Sequence, residues 1–258
     1  MRAPKDQHFL IDDCAVCSIA DAVPVRGRKV LEIGPGGGVL TAALLERGAF
    51  VRAVELDAGL LPHLERRFSD ALADGRLTIT LGDASKVALP AFDLVVANLP
   101  YSISSKITFR LLDEGFESAV LMYQLEFAKR LAAAPGNGDY GRLSVMTQAM
   151  ADVEFLLSLP PESFNPPPDV WSAVVKLTPR APPVPIASQE VFANLVRELF
   201  SHRRKTIANG LKGLAQFYDK EALARFTAGL PAELLRSRAE MLSVAEFIEL
   251  SNSLAVLV

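Results

Sequence analysis

The 258-residue chain has only two cysteines and three histidines. Cys14 and Cys17 sit three apart, and His8, His63 and His202 are not spaced to add the second ligand pair that a zinc site needs. Asp12 and Asp13 flank the C-x-x-C and oppose a stabilised thiolate, so both cysteines read as small apolar residues on an N-terminal helix. No metal is expected. Long apolar runs are missing as well: none reaches the roughly 18–20 residues of a membrane span. The opening Met1-Arg2-Ala3-Pro4-Lys5-Asp6-Gln7 leads into no signal-peptide core. A cytoplasmic protein without membrane partners is the expectation. An excess of positive charge is also absent, because 27 Lys and Arg stand against 30 Asp and Glu, for a net charge of −3. Any contact with a nucleic acid must therefore come from a local patch.

What is present is ample core material. Half of the residues are hydrophobic and 22% are charged, which excludes disorder for most of the length. Strand and helix signals alternate through the first two thirds. Lys29–Ile33 reads as a buried strand, followed by a glycine loop and a helix over Val39–Arg47. Val51–Glu55 is a second strand, with a helix through Leu60, Leu61, Leu64 and Phe68. Further strands are read at Leu77–Leu81, Phe92–Ala97 and Ala119–Tyr123. This alternation predicts a parallel α/β sheet with ligand chemistry at the C-terminal strand ends. Val153–Leu159 and Trp171–Leu177 flank a short proline-rich connection and are expected to pair antiparallel at the sheet edge. The proline-rich stretch 178–188 reads as a stiff linker, and beyond it only helical periodicity remains. The predicted organisation is an α/β domain over 1–180 and a small all-α domain over 181–258.

Glu32-Ile33-Gly34-Pro35-Gly36-Gly37-Gly38 ends the first strand and opens a helix. Glycines there let the backbone turn sharply and a ligand approach closely. The dinucleotide fingerprint is incomplete, since its third glycine falls on Val39, and no Gly-Lys-Ser/Thr follows as in a P-loop. Glu55 ends the second strand about twenty residues on, where a carboxylate accepts the hydroxyls of a ribose. Asp83 ends the third strand, within reach of an adenine amino group. The two acids outline a nucleoside pocket without a pyrophosphate site, which suits an adenosine sulfonium better than a nicotinamide dinucleotide.

The fourth strand ends in Ala97-Asn98-Leu99-Pro100-Tyr101. The Asn98 oxygen and the Leu99 carbonyl can accept the two hydrogens of an exocyclic amine. Pro100 fixes φ and restrains Leu99, which aims that carbonyl. The Tyr101 ring can stack on a base, worth about 1–3 kcal/mol.

Asn98-Leu99-Pro100-Tyr101 resembles the motif of adenine-N6 methyltransferases that use S-adenosylmethionine. Gln7-His8-Phe9-Leu10, Asp139-Tyr140-Gly141-Arg142-Leu143-Ser144-Val145, Phe164-Asn165-Pro166-Pro167-Pro168, Ser172-Ala173-Val174-Val175 and His202-Arg203-Arg204-Lys205-Thr206-Ile207 extend the likeness, in order, to beyond residue 210. Together they resemble the small-subunit ribosomal RNA adenine N6,N6-dimethyltransferase family. His8, where bacterial members carry Asn, and Ser104-Ser105-Lys106-Ile107-Thr108-Phe109 suggest its archaeal branch. The resemblance implies a Rossmann-like S-adenosylmethionine-dependent domain followed by a helical RNA- and ribosome-binding domain. It places His8, Leu10, Glu32, Gly34, Gly36, Glu55, Leu56, Asp83, Ala84 and Asn98 at the cofactor. Asn98, Leu99, Pro100 and Tyr101 would hold the target adenine, with Phe164 sandwiching it opposite Tyr101. The implied reaction is in-line attack of adenine N6 on the sulfonium methyl, repeated on two adjacent adenosines near the RNA 3′ end.

Arg142, Arg203, Arg204 and Lys205 are expected to contact RNA, although a charged run is also what any solvated helix face looks like. The implied partner is small-subunit ribosomal RNA in a pre-ribosomal particle, and no dimerisation stripe argues against a monomer. Three alternatives stand beside this reading: a large-subunit dimethyltransferase of the erythromycin-resistance type, a small-subunit assembly factor that mainly binds, and a nicotinamide-dependent oxidoreductase. Val39 and Asn98–Tyr101 speak against the last.

Overall fold

The computed structural model describes residues 7–258. Its first elements are β1 (Phe9–Leu10), α1 (Asp13–Asp21), β2 (Lys29–Ile33), α2 (Val39–Glu46) and β3 (Phe50–Glu55). Next come α3 (Leu61–Arg67), α4 (Ser69–Ala73), β4 (Leu77–Leu81), β5 (Leu94–Asn98), α5 (Ser104–Glu114) and β6 (Ser118–Gln124). One sheet has the strand order β4-β3-β2-β5-β6 and continues through β9 (Ser172–Pro179) to β7 (Ala151–Leu159). The pairs among β4, β3, β2, β5 and β6 are parallel, and β9 runs antiparallel to β6. The central strands are unbroken apolar runs because both faces are covered: Leu94–Ala97 and Ala119–Tyr123 are all buried.

Strand order reverses between β2 and β5. From β2 the chain steps outward to β3 and β4, then returns to the other side for β5 and β6. The crevice over the carboxyl ends of β2 and β5 is where such a sheet binds its ligand. The glycine loop follows β2, and Asn98 is the last residue of β5.

Three features depart from the sequence reading. The helix expected through Phe68 is two short helices, because Phe68 leaves helical geometry at φ −119° and ψ 28°. A separate two-stranded sheet pairs β1 with β8 (Phe164–Asn165), matching Leu10 to Phe164. Two-residue strands carry no periodicity to read. Helix α1, capped by the Asp12 carboxylate on the Ala15 N–H at 3.0 Å, buries Ala15, Val16, Ile19 and Ala20. Cys14 and Cys17 lie on this N-terminal helix, as expected, with free thiols on its solvent face. Among the described residues no group of three or more His, Cys, Asp or Glu is gathered as metal ligands.

The third departure concerns domains. One unit holds the chain to Ala128 and again Val153–Pro179, and the other holds Lys129–Asp152 with Arg180–Val258. The excursion before β7 thus belongs to the helical unit, whereas the sequence boundary at 180 places it in the first. Its helix α7 (Arg142–Gln148) sits behind α6 (Leu125–Ala132) in the chain. Tyr140, Val145 and Ala149 from this stretch share a core with Phe192, Val196, Ile207, Leu211 and Phe247. Those partners come from α8 (Gln189–Ser201), α9 (Ile207–Leu211) and α12 (Val244–Ala255), with α10 (Lys220–Ala228) and α11 (Ala232–Arg236) between. No described helix is long and apolar enough to cross a membrane.

Candidate active site

The loop after β2 builds one wall of a cavity of about 680 Å³, a size typical of small-molecule sites. Gly34 and Gly36 take φ of 69° and 56°, a region that side chains disfavour. At Gly36 an added Cβ would also come within 2.9 Å of the Phe9 ring. The loop is thus free of side chains where β1 passes closest to it.

Carboxylates supply most of the polarity. Glu55, buried at the end of β3, accepts the Gly36 N–H at 3.2 Å on one oxygen and the Asp57 N–H at 2.8 Å on the other. It therefore ties the glycine loop to β3. Glu32 is 1% exposed and accepts the Thr41 hydroxyl at 2.7 Å. Burial, reinforced by the nearby charge of Glu55 and opposed by the Thr41 hydrogen bond, pushes its pKa up to about 8. Asp83 accepts the Ser85 hydroxyl at 2.7 Å and the Ser85 N–H at 2.9 Å, and pairs with Lys86 at 3.0 Å. These contacts, the Ser85 hydroxyl foremost, hold its pKa at about 2. Beside it, the Ala84 carbonyl accepts from Arg110 at 2.7 Å.

The opposite wall comes from β5. Asn98 donates from Nδ2 to the His8 carbonyl at 3.2 Å, so the acceptor Oδ1 is the end left for a ligand. Pro100 holds φ −57° and ψ 128° as the chain enters the turn at Tyr101. The Tyr101 hydroxyl lies 2.6 Å from Ser172 Oγ, and its ring stacks with His8 at 5.8 Å between centroids and 26° between planes. His8 in turn places Nδ1 2.9 Å from the Pro166 carbonyl.

All ten cofactor residues named from the sequence line this one cavity, and so do Leu99, Pro100 and Tyr101. Phe164 does not. Its ring is 2% exposed and packs in the core cluster that includes Leu10 and Val16, because β1 pairs across it. In this structure the ring faces the core and not the cavity. Arg142, Arg204 and Lys205 are exposed on the helical unit. Arg203 is committed within that unit, donating to Glu240 at 2.8 Å and to the Asn137 carbonyl at 3.1 Å. Sequence reasoning missed Thr41, Ser172 and Asp57, which orient Glu32, Tyr101 and the Glu55 loop. Asp57, two residues after Glu55, and Ser172, which opens the Ser172-Ala173-Val174-Val175 motif, had a local signal, whereas Thr41 had none.

The lining tests the candidate cofactors. Among the described residues it contains no lysine or arginine, while Glu32, Glu55, Asp57 and Asp83 all contribute. A pyrophosphate finds no cationic partner there. A cationic ligand meets the Glu55, Asp57 and Asp83 carboxylates, and an adenosine sulfonium combines a ribose for Glu55 with an apolar surface for the 70% exposed Leu56. The residues present fit S-adenosylmethionine.

Comparison with known proteins agrees with this geometry. A family model described as ribosomal RNA adenine dimethylase matches residues 2–255. A Methanospirillum hungatei protein named "Probable ribosomal RNA small subunit methyltransferase A" is 54% identical over 99% of this chain and 100% of its own length. A protein of the same name from Methanococcoides burtonii is 44% identical over 96% and 91%. Among solved structures, a dimethyladenosine transferase from Plasmodium falciparum superposes with a TM-score of 0.78 at 30% identity, covering 94% of this chain and 96% of that one. The 23S rRNA methyltransferase ErmE gives 0.67 at 29% identity, covering 96% and 99%. On sequence and structure alike, the chain belongs to the ribosomal RNA adenine dimethylase family.

Proposed function

We propose that this protein methylates N6 of two adjacent adenosines near the 3′ end of small-subunit ribosomal RNA, twice each, as a step of ribosome biogenesis. The observation that carries the reading is Asn98: its donor is engaged by His8 and its acceptor remains at the switch point of the sheet, beside a cavity rich in carboxylates. Bound S-adenosylmethionine supplies an electrophilic methyl group on a sulfonium. Glu55 is the residue that would hold the ribose, Asp83 and Ala84 the adenine, and Leu56 would cover an apolar face. Asn98 Oδ1 and the Leu99 carbonyl accept the N6 hydrogens of the target and favour the positive charge that develops at that nitrogen. Pro100 keeps the second acceptor aimed, and Ser172 with His8 fixes the Tyr101 ring for stacking. The alkylated nitrogen is acidic and releases its proton to water, so no strong base is needed.

Relatives named for the small subunit, matched over nearly their whole length, favour that substrate over the large-subunit alternative that the ErmE likeness raises. The finer reading is a monomer acting in the cytoplasm on a pre-ribosomal small subunit, with Arg142, Arg204 and Lys205 contacting RNA phosphates. The test incubates purified protein with labelled S-adenosylmethionine and, in parallel, unmethylated small and large subunits, followed by nucleoside mass spectrometry. N6,N6-dimethyladenosine from small subunits alone is the expected result. Product from large subunits alone transfers the assignment to the resistance-type reaction.

A further inference from the structure

Trp171 is the chain's single tryptophan, and it is 50% exposed. Its backbone is nevertheless pinned. The carbonyl accepts the Leu125 N–H at 2.8 Å, and the next residue, Ser172, is fully buried and paired with Gln124 in the sheet. Ser172 is also the residue whose Oγ lies 2.6 Å from the Tyr101 hydroxyl. An indole is thus anchored one residue away from the group that holds the cavity's aromatic wall. Among the described residues its ring meets no other aromatic ring and its N–H has no hydrogen-bond partner. Val170 beside it is 39% exposed.

Single exposed apolar residues are ordinary on protein surfaces. Trp171 differs in being large, in its pinned backbone, and in directly preceding Ser172, which holds the aromatic wall of a site that must take an adenine out of its stack. Such extraction leaves the neighbouring base without a stacking partner, and an aromatic face at the pocket's edge restores one. Resting on the RNA-methylation reading above, we propose that Trp171 is a stacking site for a nucleobase flanking the target adenosine. Every base has a π face, so the contact positions the strand and is tolerant of sequence.

Because no other tryptophan contributes, the emission of Trp171 reports the contact directly. Titration with a single-stranded, adenosine-containing oligoribonucleotide should quench it saturably in the wild-type protein. Trp171→Ala should raise KM for undermethylated small subunits about 5- to 150-fold, the range of one base–aromatic stack. It should leave kcat and the dissociation constant for S-adenosylmethionine unchanged, and Trp171→Phe should recover most of the loss. An unquenched emission with an unchanged KM in Trp171→Ala overturns the stacking site, while an inactive Asn98→Ala control run alongside shows that the methylation reading survives. Full turnover in that control would instead remove the reading beneath the proposal. Quenching that rises with protein concentration in the absence of RNA also overturns it, since the ring would then be covered by a second copy.

Discussion

Asn98 and Arg203 both use their donors within the chain, with opposite consequences. Asn98 gives Nδ2 to the His8 carbonyl and thereby leaves an acceptor at the cavity. Arg203 gives its guanidinium to Glu240 and the Asn137 carbonyl, so its charge is answered inside the helical unit. The difference lies in what places each residue. Asn98 is the last residue of a parallel strand beside the switch point, where topology alone delivers it to the ligand crevice. A cation in a surface run is placed by whichever carboxylate the tertiary fold brings near, and nothing local announces which one that is.

The largest expected effect sharpens the same contrast inside the first unit. The family resemblance implies that Phe164 partners the target base, whereas its ring lies in the core. Phe164→Ala should destabilise the protein by about 3–5 kcal/mol, the usual loss for a buried aromatic, as measured by denaturant unfolding. A variant with unchanged stability and lost turnover would restore the stacking role and show that the ring leaves the core to meet substrate. Asn98→Ala comes next. Loss of one acceptor in a pre-arranged site should lower turnover by about 10²–10³-fold, with calorimetry showing cofactor affinity retained. Normal turnover would end the amine-acceptor mechanism.

Legibility follows the same division. Central strands could be read because burial on both faces demands apolar runs, and the ligand loops because they interrupt those runs with glycine, acid or Asn-Leu-Pro-Tyr. The β1–β8 sheet was not legible, since Leu10 and Phe164 are partners more than 150 residues apart with only two residues in each strand. Nor was the transfer of Tyr140, Val145 and Ala149 to the helical core, which depends on Phe192 and Phe247 far along the chain.

A smaller effect concerns Glu32. Its pKa rises from 4.5 to about 8 on folding, so the folded protein keeps a proton that the unfolded chain releases in that window. The stability this group contributes is present in full below pH 4.5 and is lost as pH climbs through about 8. The Tm of the ligand-free protein should fall across that window. Glu32→Gln, which stays neutral and keeps the Thr41 contact, should remove this part of the slope. Identical profiles for both proteins would show that Glu32 is ionised throughout.

The smallest effects return to the basic run. The ion pair of Arg203 with Glu240 is partly exposed, with 37% and 25% of the side-chain surfaces open, and such pairs contribute at most about 1 kcal/mol. Arg203→Ala should therefore lower Tm slightly and leave the salt dependence of RNA binding as it was. Charge reversal of the exposed neighbours, Arg204→Glu with Lys205→Glu, should instead flatten the plot of log affinity against log salt. On single-stranded RNA each lost phosphate contact changes that slope by about 0.7. If Arg203→Ala flattens the slope as much as the double reversal does, the guanidinium exchanges Glu240 for phosphate on binding. Its carboxylate partner would then be a placeholder for RNA, and the contrast with Asn98 would dissolve.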